Sequence, residues 1–77
     1  MSIEDAIVSD PDILGGVPVF RGTRVPVKNL FDYLNSGDSY TTFLADFDYI
    51  PKQQIIAVLE SVKLNFTINE DTLASAA

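Results

Sequence analysis

Arg21, Arg24 and Lys28 are the side chains best suited by type and spacing to do chemistry in this 77-residue chain. They share the stretch 21–28 with no acid. A guanidinium fork recognises carboxylate or phosphate through paired hydrogen bonds. The cluster could therefore grip a partner's acids or a DNA backbone, or simply stay solvated. Lys52, Gln53 and Gln54 form a second candidate set. Glutamine can pair with adenine, and lysine can reach guanine or phosphate. Asp46 and Asp48 beside them would repel phosphate. Asp10 and Asp12 read as turn residues, and Asp46 and Asp48 as caps or loop positions, so the four do not make a metal or acid–base cluster. The chain has no cysteine and no histidine, which removes disulfides, thiolate nucleophiles, Cys/His zinc sites and histidine-based acid–base schemes. With no nucleophile–base pair in sight, the expectation is a non-enzyme without metal or cofactor.

The elements that must position these residues follow from backbone chemistry. Residues 13–28 hold three of the four glycines, two of the four prolines and both arginines. Val17–Phe20 and Thr23–Val27 read as two short β-prone arms joined at Arg21-Gly22, with Gly22 in the left-handed position of a tight turn. Pro18 and Pro26 cannot donate to a ladder and mark the arms as edges. Gly15, Gly16 and Gly22 do not have phosphate-loop spacing, so turn geometry is their expected role. Downstream, Val27, Leu30, Phe31 and Leu34 predict an amphipathic helix stopped by Gly37. Asp38 or Ser39 can cap a second helix carrying Tyr40, Phe43, Leu44 and Phe47. Pro51 suits the start of a third, whose inward stripe is Ile55, Val58, Leu59, Val62 and Phe66. The lengths are about three, two and four turns. Tyr33 and Tyr49 fall off these stripes.

The predicted fold is thus mainly α: a short N-terminal β-hairpin followed by a three-helix, homeodomain-like helix-turn-helix bundle over residues 1–66. Residues 67–77 read as a short acidic, flexible tail. One domain of this size lies near the lower limit for a free-standing core, and oligomerisation or partner binding is a common remedy. Exposed hairpin edges invite pairing with a second copy, so a homodimer through Val19, Arg21, Gly22, Arg24 and Val25 is expected. The net charge of −6 argues against a mainly electrostatic nucleic-acid binder. No apolar run is long enough to span a bilayer, and Met1–Asp5 lacks a basic region followed by an apolar one, so a cytoplasmic location is expected.

The order Asp10-Pro11-Asp12-Ile13-Leu14-Gly15-Gly16, then Pro18-Val19-Phe20-Arg21-Gly22-Thr23-Arg24-Val25-Pro26-Val27, resembles the family called domain of unknown function 433. The resemblance runs from about Ile7 to Leu64. It implies an antitoxin of the kind encoded beside a PIN-like ribonuclease toxin, binding and silencing that toxin and repressing its own operon through the helix-turn-helix. Gly16, Pro18, Arg21, Gly22, Thr23, Arg24 and Pro26 match the family's hairpin signature. Pro51 stands where the family commonly caps its last helix with Ser or Thr. From their types and places, the candidate DNA contacts are Lys52, Gln53, Gln54 and Lys28, and the candidate partner contacts are those of the hairpin; Lys52 to Gln54 match the opening of the family's last helix only in general character. A helix-turn-helix DNA-binding regulator without a toxin is the alternative.

Overall fold

The computed structural model describes the backbone of residues 1–76 and the side chains of residues 1–64. Ser2 opens the first element: its hydroxyl accepts from the Asp5 amide and caps the one-turn helix α1 (Ile3–Ala6). The chain then extends as β1 (Ile7–Val8), passes an Asx turn in which Asp10 accepts from the Asp12 amide, and makes a single 3-10 turn at Leu14–Gly16. It returns as β2 (Val19–Phe20), antiparallel to β1 with Ile7 opposite Phe20 and Val8 opposite Val19. Three helices follow: α2 (Lys28–Asn35), α3 (Tyr40–Asp46) and α4 (Lys52–Ala76).

The mainly α architecture with an N-terminal antiparallel pair agrees with the sequence reading, but the pairing partner differs. The predicted second arm survives as one bridge, Val19 to Pro26, with Phe20 N–H donating to Val25 O at 3.0 Å and Val27 N–H to Pro18 O at 3.0 Å. β2 is flanked on its other side by β1, which lies eleven positions earlier (Val8 to Val19), beyond the Asp10-Pro11-Asp12 turn. The arm expected to offer a free edge is therefore the middle of the small sheet. The turn itself forms where predicted. Thr23 N–H donates to Phe20 O at 2.9 Å, and Gly22 takes φ +84°, the left-handed third position that type II turns require. Thr23 reinforces it through its hydroxyl, donating to Phe20 O at 2.7 Å and accepting from the Val25 amide at 3.1 Å.

Helix boundaries follow the punctuation of the sequence. Gly37, at φ +88°, ends α2, with its amide donating to Leu34 O. Ser39 precedes α3, although its hydroxyl bonds to Thr41 and Thr42 rather than to the backbone. Pro51 stands immediately before α4, and its carbonyl accepts from the Gln54 amide. No glycine or proline interrupts residues 52–76, and α4 runs longer than the predicted four turns. Phe66 of the expected inward stripe and the expected tail 67–77 lie outside the described side chains.

The core joins the sheet to all three long helices. Phe20, Val25, Leu30, Phe43, Ile50, Ile55 and Val58 form one buried cluster. Its centre is aromatic: Phe43 packs against Phe20 (ring centroids 5.9 Å apart), Phe47 (4.7 Å) and the edge of Tyr33 (5.2 Å). Offset and edge-on pairs of this kind add to the burial term. Tyr33, off the helical stripe by spacing, is half-buried and hydrogen-bonds Asp46 at 2.6 Å, whereas Tyr49 stays exposed.

Candidate functional site

Gln54 is the pivot of the molecule. It sits in the first turn of α4, yet it is only 6% exposed and points inward. Its Nε2 donates to Ala6 O at 2.8 Å and to Arg21 O at 3.0 Å. Ala6 O also accepts from the Arg21 amide at 2.9 Å. One amide thus ties together the end of α1, the hairpin turn and the start of α4. Buried polar groups are retained when fully partnered, and among the described residues every buried side-chain polar atom has a partner.

Arg21 completes the fastening from outside. Its guanidinium donates to Glu4 O at 2.8 Å and Ile7 O at 3.2 Å, the carbonyls left open where α1 ends. Its Nη2 is turned to its own chain, although the residue as a whole is exposed. Arg24 differs. It is exposed and makes no hydrogen bond or ion pair among the described residues, so its fork is available. Gly22 lies exposed at the turn between them. Val19 and Val25 carry their side chains into the core, at 0% and 7% exposure. What the hairpin presents outward is thus Arg24 and the turn backbone.

The remaining nominated cations are lightly engaged. Lys28 pairs with Asp32 at 3.7 Å one turn along α2, both largely exposed. Such pairs contribute little. The Lys52 ammonium lies 6.0 Å from the centroid of the Tyr40 ring, at the outer limit of a cation–π contact. Gln53 is exposed. Of the expected base-reading trio, then, Lys52 and Gln53 face solvent and Gln54 does not. Asp46 and Asp48, both exposed, sit just ahead of them.

Two features were not read from the sequence. One is α1, although Ser2-Ile-Glu-Asp5 has the Ser-x-x-acid spacing of a helix start. The other is an apolar groove along the outer side of α4, lined by Met1, Ile56 and Ala57 between Lys52, Gln53 and Glu60. It continues past Ile3 towards Leu64. Met1 and Leu64 are each 64% exposed and Ile56 37%. Ile55, Val58 and Leu59 of the inward stripe were legible; this second, shallower apolar row was not, because polar residues interrupt it.

Fold and surface together define a class: a small, mainly helical domain whose opening β-pair is laced to its last helix by side-chain-to-backbone bonds. The chain belongs to the family described as protein of unknown function (DUF433), which matches residues 7–60. That span takes in the hairpin signature and ends at Glu60 of α4. The chain is also similar to an uncharacterized protein, y4eO, of Sinorhizobium fredii (strain NBRC 101917 / NGR234), with 39% identity over 51 residues. The match covers 66% of this chain and 23% of that relative's length, so the chain spans less than a quarter of it. No solved structure matches the chain. No helix among the described residues is long and apolar enough to cross a membrane.

Proposed function

We propose that this protein is the antitoxin of a type II toxin–antitoxin pair, a cytoplasmic protein that binds and neutralises a PIN-like ribonuclease. The observation that carries the reading is the character of the α4 start. Its one buried glutamine is committed to the Ala6 and Arg21 carbonyls, and exposed Asp46 and Asp48 precede it by a few residues. A surface of that kind is poorly suited to phosphate and well suited to a basic partner. A ribonuclease must hold a polyanion, so its working face is cationic. A chain of net charge −6 complements it, and complementary potentials speed encounter and fix register. Arg24, the free fork at the hairpin, would meet a carboxylate on the same partner.

The test is expression of the neighbouring reading frame with and without this chain, followed by co-purification. Arrest of growth by the neighbour, relief by this protein and recovery of a complex are the expected results. Arg24→Ala should weaken the complex while leaving the fold intact. A neighbour that is harmless, or that does not bind, ends the proposal. Retardation of the upstream DNA, lost steeply as salt rises, would then favour the DNA-binding regulator.

A further inference from the structure

We infer that the outer row of α4, Lys52–Ile56–Glu60, is a self-complementary surface that pairs with the same row of a second copy running the opposite way. The three residues are four apart and form one ridge of the helix. They line a common groove with Met1, Gln53 and Ala57. Lys52 and Glu60 lie roughly 12 Å apart along the axis, at 1.5 Å per residue, with Ile56 midway. Reversing the row about Ile56 sets each Lys52 against the partner copy's Glu60 and stacks Ile56 on its equivalent. An isologous contact of this kind closes as a dimer.

The charges favour this occupant. Within one chain Glu60 has no ion-pair partner among the described residues, and Lys52 has only the distant Tyr40 ring. A two-fold pair satisfies both at once, twice over. Ile56 and Met1, exposed in the single chain, gain cover in the same step, which suits a domain too small to bury all its apolar surface. The row shares Lys52 with the start of α4 but takes in no hairpin residue, so self-pairing leaves Arg24 available to the toxin and does not depend on the toxin reading.

Charge reversal tests the pairing. Sedimentation equilibrium of the full chain over a micromolar range should show a dimer. Lys52→Glu and Glu60→Lys, taken singly, set like charges against each other and should each weaken self-association about tenfold or more. The double variant exchanges the signs and should restore it. Both positions are exposed, and an acid in the first turn of a helix is favourable; circular dichroism confirms that each variant is folded. A monomeric wild type overturns the inference. So do single variants as dimeric as the wild type, which would place the contact elsewhere, or a double variant no better than the singles. A failed toxin reading would instead appear as absent co-purification, with these masses unchanged.

Discussion

Truncating Gln54 to Ala separates an internal fastener from an exposed reading residue. The wild-type amide makes two hydrogen bonds, 2.8 Å to Ala6 O and 3.0 Å to Arg21 O. Each is worth roughly 0.5–1.5 kcal/mol net. The change also removes one buried methylene, worth about 0.8 kcal/mol. Ala6 O keeps the Arg21 amide as a donor and is not orphaned, which limits the total. The expected loss is about 2–4 kcal/mol. For a domain of this size that lowers Tm by roughly 10–25 °C. Urea and thermal unfolding, followed by far-ultraviolet circular dichroism at fixed protein concentration, measure it. Gln53→Ala, one position away and exposed, is the control and should stay within about 0.5 kcal/mol of wild type. Gln54→Glu sharpens the argument, because its carboxylate would face two carbonyls with nothing to donate. Its folded pKa would lie above its unfolded one. The variant should therefore recover stability as pH falls through that folded pKa and lose it again as pH rises. If Gln54→Ala is no worse than Gln53→Ala, the latch does not hold the three elements together and the reasoning fails.

Tyr33 supplies a prediction at alkaline pH. Its hydroxyl donates to Asp46, and that bond, partial burial and the charges of Asp46 and Asp38 push its pKa above the ordinary tyrosine value. A raised folded pKa means its stabilising contribution is complete below the unfolded value near ~10 and is lost as pH climbs through the folded one. Ultraviolet titration should show one of the three tyrosines ionising late. Tyr33→Phe should remove that late step and flatten the alkaline fall in stability. Gly22→Ala should cost about 1–2 kcal/mol from φ alone, since nothing lies within 4 Å of the added Cβ; a neutral result in urea unfolding would mean the turn relaxes to another type. Arg21→Ala should release the end of α1, seen as faster amide exchange over residues 3–8, while Arg24→Ala leaves that exchange unchanged. Phe43→Ala, at the centre of the aromatic cluster, should cost about 3–5 kcal/mol. That is comparable with the whole stability of a small domain, and loss of the cooperative transition is expected.

The sequence by itself determined the elements that local chemistry controls. Gly22 and Gly37 sit where a left-handed residue is needed, Pro51 opens α4, and the 3.6-residue recurrence of Leu30, Phe31 and Leu34, then Tyr40, Phe43 and Phe47, fixed the helices and their inward faces. The hairpin signature also identified the family. Three things were decided only in the folded molecule. β2 is paired from β1, eleven residues upstream; the turn residues between them were legible, but the two-residue β1 has no periodic pattern to mark it as a strand. Tyr33, misplaced on a helical wheel, found cover because α3 crosses α2 and brings Phe43, Phe47 and Asp46 beneath it. Gln54 and Arg21 looked like surface polar residues by type, yet their donors turn to backbone carbonyls 14 to 48 positions away. Donor capacity is a property of a residue; which acceptor lies within 3 Å of it is a property of how α1, the hairpin and α4 meet. Side-chain chemistry was therefore legible from the chain, and its assignment to outside or inside was settled by tertiary packing.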